Sequence, residues 1–447
     1  MSGETYARLR AAHPELVYEQ YTITETPGAI DLEFTFTLAN GPTFRPTLRI
    51  PRLFEIDLDR RFLENLAFHI GLVELISYWK AACPPVIRLR AGRLNEAQEA
   101  WWRDLLFHGL GEFFYLNHLA PDPADFVQIL NESTIHHPPM PCAVTDRNLI
   151  PVGGGKDSLV TLRLLQPQHD KNFCFLLNTS RSQQASAELF GYWPARTIVA
   201  RRTLDPALLE LNRSGYLNGH TPFSALLGFT TILAAALHGA ARILLSNESS
   251  ASEPTVPGST VNHQYSKSWR FEQAFDDYVR RHLTSSIDYF SLLRPWNELR
   301  IAQRIAADPG SLAVFRSCNV GSKQDRWCGT CAKCLFVDIL LAPFVPAATR
   351  QQIFGGPVPL DRPELRPLLD QLIGAVPVKP FECIGTVEEV RAALTLASQK
   401  ESGSALLQYF REIHPTLAVP PERIAALLAE FNPEHRLPAN FAALLKD

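Results

Sequence analysis

The sequence has almost no excess of one charge: 43 lysines and arginines face 46 aspartates and glutamates, leaving −3 at pH 7. Such a balance gives no general attraction to nucleic acid or anionic lipid, so any anionic ligand must be held by local sites. No apolar stretch follows Arg8 and Arg10, so no secretory leader is expected. Residues 221–241 carry no formal charge, yet they contain Pro222, Ser224, Gly228, Thr230, Thr231 and His238 and lack aromatic flanks. They predict a buried core helix rather than a membrane span. The eight cysteines do not form a disulfide framework, since four crowd into seventeen residues while Cys83, Cys142, Cys174 and Cys383 stand singly. In a cytoplasmic protein the cluster suggests metal and the singles suggest packing. Repeats and low-complexity tracts are also missing. A soluble cytoplasmic protein without nucleic-acid or membrane partners is the expectation.

What is present is ample core material, with 46% hydrophobic and 20% charged residues. At roughly 150 residues per domain the length suggests two or three domains. Residues 1–145 read as an N-terminal α+β domain. Strand-like runs at 18–24, 30–38 and 43–50 are separated by the turn pairs Pro27-Gly28 and Asn40-Gly41, followed by helical patterns at 62–79 and 95–114. Residues 121–141, rich in Pro, His and Asn, mark a boundary. Over 146–345 short apolar runs at 149–152, 173–177, 197–200 and 241–245 alternate with helices, which predicts an α/β fold with a parallel sheet and ligands at the strands' C-terminal ends. Residues 346–447 read as a helical C-terminal region.

The sharpest local signal is Pro151-Val152-Gly153-Gly154-Gly155-Lys156-Asp157-Ser158, between a strand and a helix. Three glycines let the backbone approach a ligand closely, and the helix start offers free N–H groups; both favour phosphate. Lys156 supplies charge, Ser158 a hydroxyl, and Asp157 a magnesium contact or an orienting carboxylate. Neither the Walker spacing nor the dinucleotide fingerprint fits. The bland alternative is a glycine turn with Asp157 at a helix start. The loop resembles the Ser-Gly-Gly-x-Asp-Ser loop of the PP-loop ATP pyrophosphatases, with Gly153 where those enzymes carry serine.

Cys318, Cys328, Cys331 and Cys334 have metal-ligand spacing, and Gly329 permits the tight knuckle. Four thiolates close a tetrahedral zinc shell and make the site structural. An iron–sulfur cluster would need the same ligands, and free buried thiols are the third reading. A similar pattern closes the catalytic domain of PP-loop enzymes that make 7-cyano-7-deazaguanine.

Three polar runs flank core elements: Asn218-Gly219-His220, the stretch from Ser246 through Asn247 and Glu248 to Pro254, and Asn262-His263-Gln264-Tyr265-Ser266-Lys267-Ser268. Each alone reads as a capped loop. The second and third follow a strand on the side where the glycine loop must lie, which favours a site. His69, His108 and His282 read as packing or surface groups.

Together with Arg316-Ser317-Cys318-Asn319 and Trp327-Cys328-Gly329, these motifs resemble one family, the UDP-N-acetylmuramoyl-L-alanyl-L-glutamate epimerases of peptidoglycan synthesis. The resemblance is sharp over 148–345 and general elsewhere. It implies inversion of the terminal L-glutamate of a UDP-N-acetylmuramoyl dipeptide, driven by cleavage of ATP to AMP and pyrophosphate, with Mg2+ and a structural Zn2+. A partner ligase that adds L-glutamate belongs to the same expectation. Gly153, Gly154, Gly155 and Ser158 would hold pyrophosphate, with Asp157 toward magnesium and Lys156 toward phosphate. His263, Lys267, Tyr265, Glu248 and His220, in that order, are the acid–base candidates. Arg316 is a carboxylate or phosphate clamp, and Asn247, Asn262, Gln264 and Asn319 are candidate substrate contacts. The N-terminal domain would take the uridine and sugar end. Rival readings are another PP-loop adenylating ligase, a catalytically idle ATP-binding scaffold, and a zinc-bearing nucleic-acid binder, the last opposed by the acidic balance.

Overall fold

The computed structural model describes residues 2–401 and 403–446. Eleven strands form one sheet: β1 (Glu15–Thr26), β2 (Ala29–Leu38), β3 (Thr43–Phe44), β4 (Thr47–Pro51), β5 (Val86–Leu89), β6 (Gln128–Asn131), β7 (Thr145–Pro151), β8 (Asn172–Leu177), β9 (Thr197–Thr203), β10 (Ala240–Leu245) and β11 (Asp288–Ser291). Their order is β11-β10-β7-β8-β9-β4-β2-β1-β5-β6, with β3 pairing β2. From β11 to β9 every pairing is parallel. At the other end β1, β2 and β4 are antiparallel, while β5 and β6 join β1 in parallel. The expected α/β class is present, in a large sheet that is mostly parallel.

The turn at Pro27-Gly28 joins β1 to β2, as the pair predicts. Residues 43–50 form two strands rather than one, interrupted beside Pro46, which has no N–H to give a ladder. An antiparallel pairing of Thr47–Arg49 with Arg201–Thr203 fuses β4 to β9, so the sheet runs without a break across residue 145. Glu74, on the helix Arg60–Ala82, binds Arg202 of β9 through two bonds of 2.7 and 2.8 Å, a bidentate pair spanning the same seam.

Alternation along the central strands explains the layers. Leu149, Phe173, Phe175 and Ile243 face a core shared with the helices Arg60–Ala82 and Phe223–His238. Ile150, Cys174, Leu176 and Leu244 face a second core shared with the C-terminal helices. Strands buried on both faces read as continuous apolar runs. The uncharged segment is the buried helix Phe223–His238, and among the described residues no helix is long and apolar enough to cross a membrane.

In the parallel half, chain order reverses between β7 and β10, where the connections leave to opposite sides. A crevice opens beyond the carboxyl ends of strands at such a point.

Candidate active site

β7 delivers the glycine loop to this crevice and β10 delivers Ser246, Asn247 and Glu248, so both signals line one cavity of about 330 Å³. Gly154 has φ +77°, and a Cβ there would lie 2.8 Å from Ser182 Oγ and 2.9 Å from the Gln183 nitrogen. Only glycine takes this backbone shape while packing so closely on the neighbouring helix start. The Arg316 N–H donates to the Gly154 carbonyl at 2.8 Å and docks the 315–319 segment on the loop. The Ser158 hydroxyl donates to the Gly155 carbonyl at 2.9 Å. Ser180 and Ser182, which no motif flagged, line the same cavity.

Beneath the loop lies a dense charge cluster. Lys156 is ion-paired with Asp157 at 2.5 Å and, more closely, with Glu298. Burial alone would discharge Lys156, but Asp157, Glu298 and Glu248 hold its pKa above the ordinary lysine value. Burial raises Glu298, and its carboxylate neighbours add to the rise although Lys156 opposes it. Asp157 is lowered: burial pushes it up, and Lys156, Lys333 and Lys267 outweigh that. Lysine ammonium groups and carboxylates thus set one another's charge at this end of the cavity.

Arg294, fully buried and paired with Glu272 at 2.6 Å, donates to the carbonyls of Glu248 and Lys267, each at 2.6 Å. It fixes two polar runs against each other, and nothing in its sequence context announces that role. Asn247 is engaged with Ser291 at 3.0 Å, at the end of β11.

The wall that sequence reasoning missed is residues 382–385. Asn319 donates to Glu382 and Lys333 to the Cys383 carbonyl. Gln264 donates to the Ile384 carbonyl at 2.9 Å and Lys379 to the Gly385 carbonyl at 3.1 Å. Cys383 lines the cavity with its Sγ 3.3 Å from Lys267 Nζ. Burial would raise its thiol, but Lys267, His263 and Lys333 bring it down to about 6. His263 lies behind it, bonded through Nδ1 to Glu112 at 2.5 Å. Burial would lower His263, yet Cys383 and Glu112 raise it to about 9. The expectation that single cysteines serve packing holds for buried Cys83 and Cys174, whose thiols burial raises. It fails for Cys383, because a fold contact and not sequence proximity surrounds this thiol with cations. Its one sequence signal is a thiol between Pro380 and Gly385, in a stretch that breaks the helical pattern.

Of the five acid–base candidates, Lys267 and Glu248 reach the cavity wall. Cys383, Glu248 and Asp157 hold Lys267 charged despite its burial. The His220 ring lies 4.6 Å from that of His263, its plane tilted by 45°, and burial with that neighbour lowers it to about 4. The Tyr265 hydroxyl donates to Asp104 at 2.5 Å, away from the cavity. Asn262 donates to the Ala251 carbonyl at 2.9 Å and accepts from the Gln264 N–H at 2.7 Å, shaping the loop. Arg316 and Asn319 line the cavity.

The MurL N-terminal domain matches residues 8–292 and the MurL C-terminal domain matches residues 314–423. The chain belongs to the MurL family. A curated MurL relative from Xanthomonas oryzae pv. oryzae is 37% identical over 83% of this chain and 85% of its own length. Relatives from Salinispora tropica and Micromonospora sp. are 36% and 33% identical, each over 90% of this chain and over 87% and 90% of their own lengths. All three are named UDP-N-acetyl-alpha-D-muramoyl-L-alanyl-L-glutamate epimerase, and this MurL chain is an epimerase, an isomerase by class. No solved structure matches it. Its cavity draws on both matched regions, the glycine loop from the first and Arg316, Lys333 and Cys383 from the second.

The four clustered cysteines of this MurL member converge, their sulfurs all within 4.8 Å of one another. Cys318 and Cys331 sulfurs are 3.9 Å apart and those of Cys328 and Cys334 3.7 Å. Tetrahedral zinc with sulfur at about 2.3 Å requires sulfur separations of about 3.8 Å, so the set fits that ion. Backbone N–H groups of Gly321 and Cys328 donate to Cys318 Sγ at 3.1 and 3.3 Å, as suits a thiolate ligand.

Proposed function

We propose that the chain inverts the terminal L-glutamate of UDP-N-acetylmuramoyl-L-alanyl-L-glutamate to D-glutamate in peptidoglycan precursor synthesis, through an acyl-adenylate formed from ATP. The observation that carries this reading is the shared crevice. A glycine loop able to cradle phosphate and a wall of lysines beside a thiol line one cavity at the strands' carboxyl ends. The PP-loop resemblance of Gly153–Ser158 supports the same reading.

The chemistry explains the coupling. A free α-carboxylate resists loss of the neighbouring proton, because the carbanion would set a second negative charge beside the first. Adenylation removes that charge and gives the electron pair a carbonyl to enter. Gly153, Gly154, Gly155 and Ser158 would hold pyrophosphate, while Lys267 and Lys333 would stabilise the developing oxyanion. Asp157 and Glu248, carboxylates on the cavity wall, would hold Mg2+, which when bound neutralises phosphate charge. Cys318, Cys328, Cys331 and Cys334 would hold Zn2+ in a closed, structural shell. A ligase that adds L-glutamate to the nucleotide precursor must supply the substrate, and ATP with a nucleotide-linked substrate implies a cytoplasmic setting.

One incubation tests this. The dipeptide nucleotide, ATP and magnesium are combined, pyrophosphate is followed in time, and glutamate chirality is read after acid hydrolysis. Pyrophosphate with D-glutamate is expected. Pyrophosphate without inversion would mean a ligase, and ATP binding without either product would mean a scaffold.

A further inference from the structure

We propose that Cys383 is the catalytic base that removes the glutamate α-proton, an inference that rests on the proposed ATP-dependent epimerisation. Three independent features of the wall lead there. Its sulfur faces the same cavity as the glycine loop, 3.3 Å from Lys267 Nζ. Behind it His263 is oriented by Glu112 at 2.5 Å, a thiol–imidazole–carboxylate series like those that activate nucleophilic cysteines. The segment carrying it is pinned by side chains from four separate positions, Asn319, Lys333, Gln264 and Lys379. A buried packing thiol needs none of this.

The competing groups are otherwise engaged. Lys267 keeps its proton beside Cys383, Glu248 and Asp157. Tyr265 is committed to Asp104 and His220 lies off the wall. Glu248 faces the ammonium groups of Lys156 and Lys267. An ordinary glutamate carboxylate, with a pKa of about 4.3, is also a weaker base than this thiolate even after its cationic neighbours have brought it down to about 6. The groups facing Cys383 are Lys267 and His263 from the 262–268 run and Lys333 from the helix Ala332–Leu341.

In the step, the Cα–H bond of the glutamyl adenylate breaks and its proton joins Cys383 Sγ. The bonding pair enters an enolate whose negative charge rests on the former carboxyl oxygen, beside Lys267 and Lys333. A proton from water then adds to the opposite face of Cα, Cys383 gives its proton to the hydroxide left behind, and a second water hydrolyses the mixed anhydride to the free carboxylate and AMP. Charge and atoms balance, and no oxidant or reductant is required.

The test uses the full chain with C383A and C383S, the dipeptide nucleotide, ATP and magnesium in D2O. Both variants should release substrate-dependent pyrophosphate within about tenfold of the parent while deuterium incorporation at Cα falls by about 10²–10⁴-fold. Exchange within about tenfold of the parent in either variant would overturn the assignment, as would a covalent thioester found by intact mass. Loss of pyrophosphate release along with exchange would also overturn it, since binding rather than proton transfer would then be at stake. If the parent itself releases no pyrophosphate, the adenylation reading fails separately. As a check independent of substitution, iodoacetamide at pH 7 should label Cys383 in the parent, located by peptide mass, and ATP with substrate should protect it. An unlabelled Cys383 would overturn the assignment.

Discussion

Lys156 and Glu298 form an ion pair in which both side chains are about 2% exposed. The loop's only lysine is therefore held by protein carboxylates beneath the glycines and charges the floor of the site. Removing it leaves the buried Glu298, and Asp157 at the cavity wall, without their main counter-charge. K156A should lose about 3–5 kcal/mol in urea unfolding. The apolar pair K156M/E298L should regain much of that stability, yet stay without substrate-dependent pyrophosphate release. A double variant no more stable than K156A would show that the floor needs charge to fold.

Adjacent glycines should respond in opposite ways. At Gly154 a methyl meets Ser182 and Gln183 on a left-handed backbone, whereas at Gly153 nothing lies within 4 Å. G154A should cost about 1–3 kcal/mol and sharply raise the KM for ATP. G153A should stay within about 0.5 kcal/mol of the parent. Thermal melts with ATP titrations compare the two.

The activity should follow a bell-shaped pH profile. Cys383, brought down to about 6, gains a proton as the pH falls through that value and the base is lost. His263, raised to about 9, loses its proton as the pH rises through that value, which removes one of the three cations that surround the thiolate. The working form is thiolate with imidazolium, present between those limits. Steady-state rates of D-glutamate formation should show both limbs, and E112Q should move the alkaline limb to lower pH by removing the carboxylate beside His263.

Metal analysis of the purified chain should find one zinc per molecule, without iron or sulfide. C334S should abolish it and lower the melting temperature. Because Cys318 anchors the segment whose Arg316 N–H docks on Gly154, metal loss should also weaken ATP binding. Metal content, melts and ATP titration on one preparation decide this.

The parts of the fold legible in the sequence are those with local periodicity. The apolar runs at 149–152, 173–177, 197–200 and 241–245 became β7 to β10, because strands buried on both faces need unbroken hydrophobicity. The four-residue strands β5, β6 and β11 carry too few residues to establish a period, and β6 lies within a stretch whose Pro and Asn content reads as a linker. Likewise the glycine loop and polar runs announce themselves because their chemistry is contiguous. Glu112, Arg294, Glu298, Lys333 and Cys383 acquire their meaning only where distant segments converge, and no local spacing encodes that convergence.

The seam between β4 and β9 restricts how this enzyme can breathe. A hinge there would have to break backbone ladder bonds together with the Glu74–Arg202 fork, so the two halves of the sheet move as one plate. The segments around 316–326 and 382–385 are held to the site largely by individual side-chain and loop contacts. Admission of the proposed nucleotide-linked substrate therefore falls to breaking such contacts rather than to bending the sheet, and opening at 382–385 would have to release the bonds from Asn319, Lys333, Gln264 and Lys379 together.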